Sequence, residues 1–485
     1  MMGVSLYTSR IVLEQLGVED YGIYNVVGGV VTMFSFLNGA MSQSTQRFLS
    51  FQLGKNNLEN VRNVFENSLF IHLLIAVVVF VLAETIGVWF LNEEMTIPVA
   101  KMKSANWVLQ FSLFSFMCSI MAVPFNAMII AYERMNIYAY VSIASTIMKL
   151  LIVYLLVIAP NNKLELYAAL GFGVTVLEAM FYGLFCKFKF NTFSLKCRRD
   201  KKLFKELSGF AGWNLFGNIA WICKGQGVNI VLNIFYGPIL NAAYSVSTQV
   251  NNAVNTLVQN FTMALNPQLV KNYASEKYSE MNVLIIRSTK FAFMLTLLVA
   301  VPIFFNADKI LHVWLKTVPP NAIIFTQLIT ILALVESFGN VMGNAIFASG
   351  KIKIYQILVG ITILLNLPFS WLVLKNGYNP YCVFIVAIIL GCTTVVERLL
   401  ILKKNIPSFS VRLFIKKVFF RLFLLLIPIC AVLWLAYEYD FLTKVNLFIN
   451  VSLIILTVAI FEFVIGLTKD ERNKIISMIS QKFVK

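Results

Sequence analysis

Apolar residues in this chain gather in blocks of about 20, separated by short polar turns, and strand-like alternation is absent. A window of about 19 residues predicts helices near 4–16, 23–46, 68–91, 105–130, 136–159, 165–186, 208–235, 240–265, 283–305, 322–348, 353–374, 378–402, 419–437 and 446–467. The punctuation between them is that of helix ends in water, as in Asn92-Glu93-Glu94, Tyr236-Gly237-Pro238 and Pro319-Pro320-Asn321. Only helices and closed barrels satisfy their backbones in lipid, and the missing alternation excludes a barrel. The predicted class is an all-α integral membrane protein of about 14 transmembrane helices.

Composition sharpens this picture. The 485 residues are 59% hydrophobic and 13% charged, with mean hydropathy +0.78, whereas soluble domains carry about 25% charge. The spans leave only short loops, so an appended soluble catalytic domain of about 100–200 residues is excluded. Cys118, Cys186, Cys197, Cys223, Cys382, Cys392 and Cys430 are scattered without a CxxC, and His72 and His312 are the only histidines. No metal site, His-based triad or cofactor is therefore expected. A cleavable signal peptide is not expected either, because the first apolar run leads into a polar turn.

The net charge of +17 is read as topology. With the N-terminus inside, about 30 of the 40 Lys and Arg fall in alternate loops and the tail, including the stretches 187–205, 271–290 and 398–421. The opposite loops hold about 7, and Arg10, Lys149 and Lys224 lie within spans. Both termini are thus expected in the cytoplasm. Nucleic acid is not an expected partner, because the basic loops are short and divided by apolar helices. The dense stretch 187–202 suits membrane lipids with anionic headgroups.

That basic loop follows the sixth span and divides the first twelve into two sets of six. An even number per set predicts parallel repeats: an N-lobe at 1–200, a C-lobe at 201–405, and two further spans with a cytoplasmic tail at 406–485. Ser9-Arg10-Ile11-Val12-Leu13 can be laid on Val228-Asn229-Ile230-Val231-Leu232, an offset of 219 residues. Under that offset the short first span predicts a native start about 11 residues before Met1, since about 20 are needed to cross a bilayer.

Polar residues inside the spans carry the candidate chemistry. A charge at the bilayer centre costs about 2.5–3.5 kcal/mol on insertion scales and needs a reason. Lys149 follows Ser142, Ser145 and Thr146 on one face of span five, and Glu178 lies at similar depth in span six. The two either pair as an interhelical link, or Lys149 lines a cavity. Span two carries Asn38, Ser42, Gln43, Gln46 and Arg47, and span eight carries Ser245, Gln249, Asn252, Thr256 and Gln259, each at helical spacing. Interhelical hydrogen bonds are worth about 0.6 kcal/mol each, too little to require so many, and a water-filled cavity is expected. Span seven adds Asn214, Asn218, Gln226 and Asn229. Lys224 falls about 130° from the centre of that face on an ideal helix, unless Gly225 and Gly227 distort it. In span ten, Glu336, Asn340 and Asn344 repeat every four residues and offer a proton or cation site or simple packing contacts. Cations together with Asn, Gln and Ser suit an anionic, sugar-bearing substrate.

The run from Leu6 through Ser9-Arg10-Ile11-Val12-Leu13-Glu14-Gln15-Leu16-Gly17-Val18-Glu19-Asp20-Tyr21-Gly22, continuing to Ser44-Thr45-Gln46-Arg47-Phe48, resembles the polysaccharide-biosynthesis flippases of the O-antigen translocase (Wzx) type. These belong to the multidrug/oligosaccharidyl-lipid/polysaccharide (MOP) exporter superfamily. The resemblance implies a two-lobed, V-shaped bundle like that of the multidrug (MATE) exporters. It also implies transport of an undecaprenyl-diphosphate-linked oligosaccharide between leaflets by alternating access, without catalysis of a reaction. Arg10 and Arg47 match the cations that engage the diphosphate; Lys149 and Lys224 come from the residue pattern alone. Glu178 and Glu336 are the carboxylates for coupling to H+ or Na+, and a monomer suffices to enclose the pathway. A drug/cation antiporter of the same fold would want inward carboxylates, whereas the inward charges here are mostly basic. A membrane glycosyltransferase would need acidic catalytic residues and a sizeable loop outside the membrane.

Overall fold

The computed structural model describes residues 35–94, 97–158, 162–190, 200–236, 238–315, 318–439 and 445–473, together with scattered residues between 8 and 28 and Ser477. Among the described residues the regular structure is helical, without strands. The helices are α1 (Ser35–Gly54), α2 (Leu58–Glu93), α3 (Val99–Ala131), α4 (Met135–Ile158), α5 (Lys163–Lys189), α6 (Lys201–Tyr236) and α7 (Pro238–Ala274). There follow α8 (Tyr278–Phe305), the short α9 (Ala307–Trp314), α10 (Ala322–Ser349), α11 (Lys353–Lys375), α12 (Cys382–Asn405), α13 (Val411–Ala436) and α14 (Leu447–Gly466). Every predicted span from the third onward falls on one of these helices; the second, at 23–46, overlaps α1 only from Ser35, and its earlier part, like the first span at 4–16, falls largely outside the described residues. Helix α9 was not expected. Its eight residues are fewer than a spanning window requires and mix Asp308, Lys309 and His312 with apolar neighbours.

Among the described residues ten helices are long and apolar enough to cross a membrane, and the chain is a multi-pass membrane protein. Helices α1, α6 and α7 are also long, at 20, 36 and 37 residues, yet too polar to be counted among the ten. These are three of the helices on which polar faces are expected from sequence. Loss of hydropathy in a helix of spanning length is what a water-lined face produces.

The chain forms two compact units, residues 1–215 and 216–485. In the first, α3 is the central helix and packs on α1, α2 and α5. Leu109, Leu113 and Ile120 of α3 are fully buried, in one apolar cluster with Val79 and Ala83 of α2. In the second, α10 is central and packs on α7, α8 and α12. Phe325, Ile329 and Leu332 form its core with Ala243 and Phe384. Large apolar side chains that remain outside, such as Leu73, Val77 and Val81 on α2 or Phe423 and Trp434 on α13, cover surfaces suited to lipid. Burying them is unnecessary where the solvent is hydrocarbon.

Several helices end in the same left-handed turn, Glu133 at φ 60° among them. Helix α1 ends with Asn56 at φ 53°, and its amide and that of Asn57 bond the carbonyls of Leu53 and Gln52. Helix α7 ends the same way: Glu276 is at φ 60°, with its amide and that of Lys277 on Tyr273 and Asn272. The two turns lie 220 residues apart in the numbering, close to the offset read from sequence. Neither residue is glycine, so both accept the cost of a left-handed conformation to close the same helix end.

Beyond α14, Thr468 and Glu471 form a capping box, in which the Thr468 amide donates to the Glu471 carboxylate at 2.8 Å and the Glu471 amide to the Thr468 hydroxyl at 3.3 Å. Glu471 also binds Lys290 of α8, a lysine that is buried instead of lying in a loop as expected from sequence. Lys290 falls in both the basic stretch 271–290 and the predicted span 283–305, and Glu471 is the partner that permits its burial. Arg421 of α13 donates to the carbonyls of Ile465 and Leu467 at 2.9 and 2.6 Å, satisfying the end of α14. Burial acts to raise the Glu471 carboxyl, but hydrogen bonds from Lys290 and Thr468 outweigh it and hold the group below the usual carboxylate range. Its stabilising contribution is therefore complete above about pH 4.3 and is lost as pH falls through the lower folded value. The melting temperature of purified protein should drop in that acid window, and the step should be missing in Glu471→Gln.

Candidate functional site

Each unit contains a polar cavity. In the first, a space of about 480 Å³ lies among α1, α3, α4 and α5. Asn38 and Ser42 of α1 face it, with Ser142, Ser145, Thr146 and Lys149 of α4 and Glu178 of α5. The four α4 residues recur at intervals of three, one and three, so they form a single stripe. Asn38 donates to the Ser119 hydroxyl at 3.5 Å. Lys149 and Glu178 share the cavity wall, and among the described residues no ion pair joins them. Lys149 is exposed to the cavity, so its ammonium meets water and any ligand that enters.

In the second unit, a cavity of about 350 Å³ is lined by Lys224 and Asn229 of α6, Ser245, Thr248, Asn251 and Asn252 of α7, and Glu336 of α10. Trp221, Tyr244 and Phe384 supply aromatic surface. Lys224 and Glu336 form an ion pair at 2.8 Å, with side chains 16% and 11% exposed. Lys224, about 130° from the centre of the polar face on an ideal helix, thus lines the cavity all the same. Helix α6 stays continuous from Lys201 to Tyr236, and Gly225, which has open space where a Cβ would be, lets the cavity extend around the helix to Lys224. Farther along, a Cβ on Gly227 would come within 2.0 Å of the Leu367 side chain, so glycine is what permits α11 to approach α6 there.

Other expected site residues fall elsewhere. Gln46 and Asn214 are buried, Asn218 is half-buried, and Gln43, Gln249 and Gln259 are exposed; none of them lines these two cavities. Arg47 stacks its guanidinium over Phe48, Phe51 and Phe210 at 4.7–5.6 Å, near the end of α1. Arg10 and the side chain of Gln226 lie outside the described residues. Sequence reasoning missed Arg398 of α12, which was assigned to the 398–421 loop. It is 6% exposed and lines a small cavity of about 30 Å³ with Lys224, Glu336, Asn340 and Asn366. No local sequence signal marks it: the space is made by Gly339 on α10, where a Cβ would meet the Arg398 guanidinium at 2.7 Å.

Comparison with known proteins places this architecture. The family model described as "Polysaccharide biosynthesis protein" matches residues 2–273, more than half of the chain. The chain belongs to the polysaccharide biosynthesis protein family. A second model, MatE, matches residues 219–372 of this family member. The uncharacterized membrane protein EpsK of Bacillus subtilis (strain 168) is 22% identical over 252 residues, 51% of this chain. That match spans about half the length of the curated relative, 49%. Among solved structures, MATE in complex with MaD3S is similar at a TM-score of 0.70 and 14% identity, covering 82% of this chain and 91% of that one. A MOP superfamily transporter of Pyrococcus furiosus, described as having a binding pocket of reversed polarity, is similar at TM-score 0.63 and 13% identity, with 82% and 91% covered. The fold of this polysaccharide biosynthesis family member is that of the MATE transporters.

Proposed function

We propose that this chain is a transporter that moves an undecaprenyl-diphosphate-linked oligosaccharide from the inner to the outer leaflet of the bacterial cytoplasmic membrane. The glycan would serve surface polysaccharide such as O-antigen, capsule or lipopolysaccharide. The lobes at 1–200 and 201–405 alternate access as a monomer, with both termini in the cytoplasm. The observation that carries this reading is the wall of the first cavity: hydroxyls, amides and one unpaired lysine, Lys149, within the region matched by the polysaccharide family. Hydroxyls and amides exchange hydrogen bonds with sugar hydroxyls, and ammonium or guanidinium groups hold phosphate oxygens. In this proposal Arg10 and Arg47 meet the diphosphate, and Glu178 and Glu336 couple transport to H+ or Na+.

A drug/cation antiporter is the second reading, favoured by the MatE match across residues 219–372, which includes Lys224, Glu336 and Asn366. Complementation separates the two. A strain lacking its own polysaccharide flippase should regain surface glycan when it expresses this chain. Restored resistance to cationic drugs with unrestored glycan would favour the antiporter.

A further inference from the structure

The small cavity in the second unit has a donor set with no acceptor to match it. Arg398 is buried, and its guanidinium reaches only neutral groups: the Thr394 hydroxyl at 2.7 Å, the Tyr355 hydroxyl at 3.5 Å and the face of the Tyr355 ring at 5.8 Å. No carboxylate pairs with it among the described residues. Glu397, its chain neighbour, instead accepts from the Thr362 hydroxyl at 2.6 Å. Across the cavity, Asn366 is 2% exposed; its Oδ1 accepts from Ser370 at 3.5 Å, while its Nδ2 has no partner. Glu336 is already neutralised by Lys224. The charged groups on this wall, Lys224, Glu336 and Arg398, therefore sum to one positive charge, accompanied by one orphaned amide donor.

A buried guanidinium without a counter-charge and an unpaired buried N–H each carry a substantial desolvation cost. One acceptor of negative charge would satisfy both. The space of about 30 Å³ suits a halide or a planar carboxylate and is small for a tetrahedral oxyanion. It also shares Trp221, Lys224, Glu336, Asn366 and Ala387 with the cavity of about 350 Å³, so a group can reach it as a free ion or as an appendage of a larger molecule. We propose that Arg398 and the Asn366 amide form a binding site for one small monovalent anion, filled by a halide from solvent or by the carboxylate of an acidic sugar seated in the larger cavity. This assignment is independent of what the protein transports.

The test uses the purified full-length chain, melted in detergent with potassium methanesulfonate as the background salt, whose anion is too large for the site. Chloride or glucuronate, exchanged in at constant ionic strength, should raise the melting temperature saturably, by on the order of 2–3 °C at a hundredfold excess over Kd. A rise with chloride alone supports a halide site; a rise with glucuronate but not with glucose supports a sugar carboxylate. Arg398→Gln should abolish the rise. Asn366→Asp, which supplies its own carboxylate to Arg398, should melt no lower than the native chain and no longer respond to added anion. Absence of any rise in the native chain would mean that an ordered water fills the site and would overturn the proposal. So would an equal rise with methanesulfonate, or an unchanged rise in both variants.

Discussion

Lys149→Ala is expected to reduce glycan translocation roughly ten- to hundredfold, the range given by losing one charged hydrogen bond worth about 1.5–3 kcal/mol, while leaving the protein folded. The lysine lies exposed on the wall of the first cavity and forms no ion pair with Glu178. Its removal therefore leaves no buried charge behind, and stability should stay within about 0.5 kcal/mol of the native chain. Lys149→Arg should retain most of the transport, because a guanidinium supplies the same charge with more donors. Surface glycan in complemented cells and melting temperature in detergent read the two effects separately. A large loss of melting temperature in Lys149→Ala would show that the lysine is structural.

The second large effect is expected at Lys224. Its ion pair with Glu336 is mostly removed from water, so Lys224→Met leaves a carboxylate without its partner. Breaking a buried pair by deleting one side costs about 3–5 kcal/mol. The double variant Lys224→Met with Glu336→Gln removes both charges and should recover most of that stability, because an uncharged amide needs no counter-ion. Transport should not recover with it if Glu336 couples an ion. Thermal denaturation of the two variants, set beside that of Glu336→Gln, completes the double-mutant cycle. A coupling energy near zero would remove the pair from the account.

The contrast between these two lysines shows what sequence could and could not convey. Lys149 was legible because Ser142, Ser145 and Thr146 share its helical stripe, and a stripe is a local property. Lys224 was harder to place, because a helical wheel gives every residue a side chain. Gly225 has none, and the cavity passes over it to reach the lysine. Arg398 and Lys290 were assigned to loops because they stand near helix ends and are charged. Their burial depends on distant partners, Tyr355 for one and Glu471 for the other, which no local pattern reveals. The spans themselves were readable, since lipid demands long apolar helices and the chain supplies them with clear turns between. Polar stripes on α1 and α7 were readable as stripes, but only Asn38, Ser42, Ser245 and Asn252 among those named for them reach a cavity. Gln249 and Gln259 are exposed and do not line it.

The most direct test of the central claim is a flipping measurement in vesicles that hold the purified chain and an undecaprenyl-diphosphate-linked oligosaccharide confined to one leaflet. Glycan exposed on the opposite face is read by its accessibility to an impermeant glycosidase. The account predicts glycan accessible on the far side at a rate well above protein-free vesicles, with that gain largely lost in Lys149→Ala. Accessibility no greater than in protein-free vesicles, under both proton and sodium gradients and with a protein that remains folded, would contradict it.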